Sequence, residues 1–488
     1  MQRSTSLVVL LGLALAAGGC GSGQRKDDAP VVVSVIGGES KAADPSAGPL
    51  DAAERVLMGA TAQGLVRFDA GGQIEAALAE RWIVIDDGRS YIFRLREATW
   101  PDGAPVTAAQ VVRVLRRAAA PGSRNTLAPF LAVIDEIVEM TPTVIEVRLK
   151  RPRPDLLKLF AQPELAVFRT GTLDGSGPFR AQPSVRGRVL LRPVPDPGGA
   201  GDNSAPEPEE TVQLLAERAA VALARFKARE SDLILGGSFV DWPIAAQAAL
   251  APANLHVEQP SGLFGLAVAE REGFLSEPGN RAAVAMAINR AALTQALRPD
   301  WTPLETLLPG QLDSAAPPAR ADWSSLTLDA RRQMARDRVT AWRRVHPEPL
   351  TLRIALPAGP GATLLWAHLA EAMLRIGITP QRVGAAAPAD LRLIDAIAPY
   401  DSGRWFVQTA CVACSDEAKA LIAAGREAPD LAARAQRIAE ADAALTADAA
   451  YIPIAQPLRW SLVALRLGAW QGNARGWHPL NHLRNEKE

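Results

Sequence analysis

The chain has 488 residues, beyond the roughly 250–300 at which a single hydrophobic core stops growing, so more than one lobe and room for a large cleft are expected. Its 53 Lys plus Arg balance 53 Asp plus Glu, and a formal charge of zero supplies no long-range field to recruit nucleic acid. With 48% hydrophobic and 22% charged residues the composition is globular, which argues against a disordered chain.

Met1 to Ser6 carries Arg3 and no acid, Leu7 to Ala17 is an almost unbroken apolar run, and Ala17-Gly18-Gly19 sets small residues before Cys20. This predicts a secretion leader over 1–20 with a lipoprotein cleavage site, the Cys20 thiol carrying the lipid. The run of 11 residues is shorter than the roughly 20 that span a bilayer, so lipid rather than a transmembrane helix is the expected anchor. An ordinary cleaved signal with an incidental cysteine is the alternative. Residues 21–30 (GSGQRKDDAP) read as a flexible tether.

Val31 to Val35 is a short β-branched strand, followed after a loop by a helix over Pro49 to Gly64. Arg81–Asp86 and Tyr91–Leu95 read as two strands turning at Asp87-Gly88. Thr107 is placed to cap a helix carrying Val111, Val112 and Leu115 at helical spacing. Ile134–Met140 and Val144–Leu149 form a second strand pair. The Pro-, Gly- and acid-rich stretch from Pro193 to Glu210 is a loop. Further on, Arg281–Leu297 reads as one amphipathic helix, Leu350–Leu356 as a strand, and Leu364–Ile376 and Leu431–Leu445 as helices. Strands and helices in irregular order indicate α/β lobes.

No enzyme motif emerges: there is no G-x-S-x-G elbow, no H-E-x-x-H helix and no lysine directly after a glycine. His478 and His482 stand at i, i+4, but Pro479 between them argues against a helix offering both to one metal. Beyond Cys20 only Cys411 and Cys414 remain. A local disulfide is the plain reading for an oxidising compartment, since a redox pair usually opens a helix beside a strand and zinc needs two further ligands. No cofactor and no metal site is read.

Gln63-Gly64-Leu65-Val66-Arg67-Phe68-Asp69, Ala77 to Trp82, Tyr91 to Arg96 and Trp100-Pro101-Asp102-Gly103-Ala104-Pro105-Val106-Thr107-Ala108 follow one another in an order and spacing that resemble the signature of the family 5 extracellular solute-binding proteins. Gly175 to Phe179, Glu230-Ser231-Asp232, Asn280 to Arg290 and Tyr451 to Ile454 extend the resemblance along the chain. It implies a two-lobed, periplasmic-binding-protein-like α/β fold of the class II or cluster C type with an inserted small α+β domain. Lobe I is expected over 31–71, 161–262 and 457–488, the insert over 72–160 and lobe II over 263–456. The implied role is non-catalytic: a monomer that captures a small solute such as a peptide in the interlobe cleft and hands it to the permease of an ABC importer, in the periplasm and tethered to the membrane. The alternatives are a degenerate sensor or scaffold, and a nickel- or haem-type binder.

The resemblance also implies a buried carboxylate for the ligand's amino terminus. Peptide-binding relatives usually show a Trp, an Asp and an Asp-Pro pair after a strand late in lobe II; here 391–402 reads LRLIDAIAPYDS, so Asp401 precedes Ser. Asp395 is the candidate partner of the ligand ammonium, with Tyr400, Asp401 and Trp405 close by; a turn carboxylate held by backbone amides is the plainer reading. Glu39, after the first strand, is a second acidic candidate. Aromatic residues make up only 5% of the chain, and Trp242, Phe264, Trp301 and Trp405 are the candidates for lining the cleft.

Overall fold

The structure is a computed structural model that describes residues 28–182, 187–194, 207–310 and 312–484. The leader, Cys20, most of the tether and residues 195–206 of the acid-rich loop lie outside the described residues. Two large sheets organise the chain. The first has seven strands in the order Leu255–Glu258, Arg459–Val463, Leu233–Ser238, Val31–Ile36, Val212–Glu217, Arg188–Pro193 and Phe179–Gln182. Val31–Ile36 runs parallel to both of its neighbours and buries all six residues. A strand covered on both faces needs a continuous rather than alternating apolar pattern, which is the reason for Val31-Val32-Val33. Ser34 is tolerated there because its hydroxyl meets that of Ser231 at 3.1 Å.

The second sheet has five strands in the order Thr379–Gly384, Thr351–Leu356, Leu391–Ile397, Gly262–Val268 and Tyr451–Ala455. Its strand Gly262–Val268 is buried along its whole length. Two short segments, 259–261 and 456–458, carry the chain from one sheet to the other, because Leu255–Glu258 and Arg459–Val463 pair in the first sheet while Gly262–Val268 and Tyr451–Ala455 pair in the second. A pair of rigid halves joined by two crossings is the architecture of a two-lobed binding protein.

A four-stranded antiparallel sheet of Ala79–Ile85, Ser90–Leu95, Val144–Leu149 and Ile134–Thr141 forms a separate layer. Helix Ala108–Ala119 packs on it through Val111, Val112 and Leu115, and Thr107 with Gln110 closes a reciprocal capping box at its start. The hairpin turn is wider than a two-residue loop: Asp86, Asp87 and Gly88 all take positive φ (53°, 54° and 82°).

The helix expected over Pro49 to Gly64 occupies Ala52–Thr61, capped by Asp51 and Glu54. Arg281–Leu297 is two helices, Pro278–Ala287 and Arg290–Leu297, because Ile288 leaves helical geometry and the Asn289 side chain accepts from Ala292 N at 3.1 Å as a fresh N-cap. Cys411 and Cys414 are joined in a disulfide just past helix Gly403–Ala410. Among the described residues no helix is long and apolar enough to cross a membrane.

Candidate functional site

Between the two large sheets lies a cavity of about 710 Å³, within the roughly 300–1,000 Å³ of small-molecule sites. Val35, Leu235 to Ser238 and Arg459 to Ser461 wall it from the first sheet, and Asp395 to Pro399 with Trp405 from the second. Thr126, Leu127 and Phe130 close one end, and the segment Arg475 to His478 another.

Backbone, not only side chains, faces this space. Strand Leu391–Ile397 pairs with Thr351–Leu356 only at Leu391 and Arg392, so from Leu393 onward Gly262–Val268 is its one strand partner among the described residues. That leaves one edge where the N–H and C=O groups of Asp395 and Ile397 have no strand partner, on the cavity wall. On the opposite wall, strand Leu233–Ser238 breaks register between Ile234 and Gly237, and Gly236 adopts a φ of 81° that a side chain would strain. A Cβ on Gly237 would sit 2.3 Å from the Trp460 ring, so only glycine lets this backbone reach the cavity beside the indole.

The charged groups are arranged in pairs. Arg459 Nη1 donates to Asp395 Oδ1 at 2.9 Å, a contact that crosses from the first sheet to the second. Burial pushes the Asp395 carboxyl up while Arg459 pulls it down, and the net shift is upward. Glu258 accepts from Asn473 N at 2.6 Å and faces His478 Nε2 at 2.9 Å. Arg55, on the first turn of the Asp51-capped helix, pairs with Glu164 and lies over the Trp477 ring at 5.6 Å. The wall therefore carries Arg55, Arg459 and Arg475 against Glu164, Glu258 and Asp395, a balanced set that suits a ligand of little net charge.

The residues expected from the sequence separate into groups. Asp395 and Trp405 line the cavity. Asp401 lies at its rim, not on the wall, accepting from Lys158 Nζ at 2.6 Å and from Arg475 Nη1 and Nη2 at 3.2 and 2.8 Å. Tyr400 is buried behind the wall, its ring 5.5 Å from Phe130. Glu39 is exposed on its loop and paired with Lys41 at 2.8 Å, away from the cavity lining. Trp242, Phe264 and Trp301 are core residues rather than cleft-lining ones. Phe264 is wholly buried with its ring 4.8 Å from Trp301 and 4.9 Å from Phe239, and Trp242 donates to Leu297 O at 2.8 Å. His478 and His482 face different carboxylates, Glu258 and Glu75, and converge on no common point.

Several wall residues escape a reading of the sequence. Arg459, Trp460 and Trp477 carry no local pattern, and the one usable signal is Gly236-Gly237 inside an otherwise apolar strand, which marks a bulge or a close backbone approach.

Two sheet-built halves around a cavity of this size, lined by paired charges and aromatic rings, are the arrangement of a solute-binding protein. The model of the bacterial extracellular solute-binding proteins, family 5 Middle, matches residues 73–337, and the chain belongs to this family. Among curated proteins, the "Probable deoxycholate-binding periplasmic protein YgiS" of Escherichia coli (strain K12) is 44% identical over 71 residues, 14% of this chain and 13% of that protein. The glutathione-binding protein GsiB of Escherichia coli (strain K12) is 30% identical over 116 residues, 24% of this chain and 23% of that one. These matches thus span less than a quarter of either relative. Solved structures match over far more of the chain. Haemophilus influenzae OppA in complex with RPPGFSPFR superposes with a TM-score of 0.78 at 17% identity, covering 93% of this chain and 98% of that one. The Escherichia coli murein tripeptide binding protein MppA gives 0.79 at 17% identity, covering 94% and 99%. Its unliganded open form gives 0.63 over 93% and 96%. At these identities the likeness is one of fold.

Proposed function

We propose that this chain is a periplasmic binding protein that encloses a short, zwitterionic, peptide-like solute between its lobes and delivers it to the permease of an ABC importer. The observation that carries this is the cavity itself, about 710 Å³ between two sheets joined by two crossings, with a free strand edge along one wall. An extended peptide laid along Asp395 to Ile397 would complete that edge with main-chain hydrogen bonds, which supply affinity without reading side chains. Asp395 Oδ1 is taken by Arg459 Nη1, which leaves Oδ2 for a ligand ammonium and Arg459 Nε and Nη2 for a ligand carboxylate. Because the solute touches both lobes, it favours the closed arrangement by contacts the open one lacks, and closure is the state a permease can recognise.

On this reading lobe I comprises 31–71, 161–262 and 457–488, the insert 72–160 and lobe II 263–456, a division supported by the seven strands of the first sheet, all of which fall in the first group. Lipid on Cys20 would hold a monomer at the membrane, with residues 21–30 as its tether. No reaction is assigned to the cavity, and the relatives named above are binding proteins.

Titration calorimetry with di- and tripeptides, glutathione, a murein tripeptide and deoxycholate tests the reading. A free-ended peptide should bind, and N-acetylation or Asp395→Asn should weaken it at least tenfold. Binding of deoxycholate alone, indifferent to Asp395→Asn, would overturn it.

A further inference from the structure

Behind the cavity wall, where the helix carrying Trp405 meets the insert, three arginines are buried side by side. Arg153 is 6% exposed, Arg404 4% and Arg434 2%. Together with Asp155, Tyr400 and Phe130 they line a void of about 10 Å³, room for one water-sized particle.

Their hydrogen bonds leave the charge poorly answered. Arg153 donates only to carbonyls, Pro152 O at 2.7 Å and Arg426 O at 2.8 Å. Arg404 donates to Pro129 O at 3.1 Å and lies over the Phe130 ring at 5.3 Å. Only Arg434 reaches a carboxylate, Asp313 at 3.0 Å, besides the Ser402 hydroxyl at 2.7 Å. Neither Arg153 nor Arg404 forms an ion pair among the described residues, and the Nε of all three is buried with no hydrogen-bond partner.

The surrounding charges do not make up the difference. Asp155 lines the void but is drawn toward Lys158 at 3.7 Å, and Asp313 is already held by Ser402, Gly403 N and Arg434. Further out, Arg151 and Arg426 share Glu427. The inner shell is three cations against two carboxylates. Burial, reinforced by Arg434 and Arg404, pulls the Arg153 guanidinium down to about 9, while burial pushes Asp155 toward its neutral form.

Leaving such a cluster unanswered in low dielectric is costly, and a water molecule could satisfy a donor but not the charge. A monatomic anion does both and asks the least widening of the void of any anion, whereas sulfate or phosphate far exceeds it. We propose that the void between Arg153, Arg404 and Arg434 is a binding site for a small monovalent inorganic anion of the chloride class. The bound ion fastens the insert to lobe II and backs the ligand cavity through Phe130, which lines both spaces. The site stands independently of what the larger cavity binds.

The test uses the purified full-length protein dialysed into sodium gluconate and titrated with sodium chloride or bromide at constant ionic strength. A saturable rise in the unfolding midpoint is expected with either halide and not with sulfate, since an ion bound only by the folded state stabilises it by mass action. Arg404→Gln should fold, by circular dichroism, and lose that rise. If this variant does not fold, crystals of the unaltered protein grown in bromide decide alone. An anomalous peak among Arg153, Arg404 and Arg434 supports the site, and a void without one overturns it whatever the melting curves show.

Discussion

Asp401→Ala removes a side chain that fastens three parts of the molecule at the cavity rim. Its carboxylate takes Lys158 from helix Leu156–Phe160 and Arg475 from the segment after strand Arg459–Val463 of the first sheet, while Asp401 itself follows strand Leu391–Ile397 of the second. The Lys158 and Arg475 contacts hold its carboxyl below the usual range despite burial, so it stays ionised at neutral pH. The side chain is 43% exposed, so each pair is screened and worth about 0.2–1 kcal/mol, not the several of a buried one. Two such pairs amount to roughly 0.4–2 kcal/mol, or about a 2- to 30-fold shift of the closed–open equilibrium toward open. Asp401 does not itself line the cavity, so calorimetry with a binding peptide should show affinity lowered by that factor at an unaltered stoichiometry. Raising the salt should reproduce part of the loss in the unaltered protein and little further loss in the variant, because exposed pairs are screened. Equal affinity in the two proteins at low salt would show that the Asp401 cluster plays no part in closure.

Three other outcomes follow from particular contacts. Asp442 is buried, accepts from Ala319 N at 2.8 Å, and has its carboxyl pushed up to about 6 by burial. A raised folded-state value means that its contribution is complete below the unfolded-state value near 4 and is lost as pH rises through about 6. Asp442→Asn should therefore gain up to about 3 kcal/mol of stability over the unaltered chain at pH 8 and little near pH 4, as urea unfolding at the two pH values would show. A gain of the same size at both would contradict the assignment. Asp448 accepts from Arg271 at 2.7 and 2.9 Å, from Ser415 N at 3.0 Å and from the fully buried Arg281. Asp448→Ala strands that cation and should cost about 3–5 kcal/mol in urea unfolding, and a loss under about 1 kcal/mol would refute the pairing. Gly237→Ala drives a methyl group into Trp460 on the cavity wall, so peptide affinity should fall by about tenfold or more with the circular dichroism spectrum retained.

Much of the scaffold can be read from local chemistry. Thr107 with Gln110 announces a helix start, and Val31-Val32-Val33 announces a strand covered on both faces. The break at Ile288 is harder to see, because apolar spacing runs on across it and only Asn289, a good cap, signals the new start. The site is legible in part for a physical reason. Asp395 is an acid flanked by the apolar Ile394 and Ala396 in its strand, an expense that invites a partner, but its partner Arg459 stands 64 residues away on another sheet. Aromatic count alone cannot separate cleft from core: Trp405 reaches the cavity, while Phe264 and Trp301 occupy the interior of lobe II. Tyr400 and Asp401 adjoin in sequence yet serve opposite sides of the wall, since a loop alternates its directions without a fixed period.

The central claim is that two lobes shut around a non-covalently held solute. Small-angle scattering on one preparation in three states tests it most directly: as purified from the native host, after unfolding, dialysis and refolding, and after the small molecules released on unfolding are returned. The refolded protein should be measurably more extended and should contract again when those molecules are restored. Superimposable profiles in all three states would contradict the account.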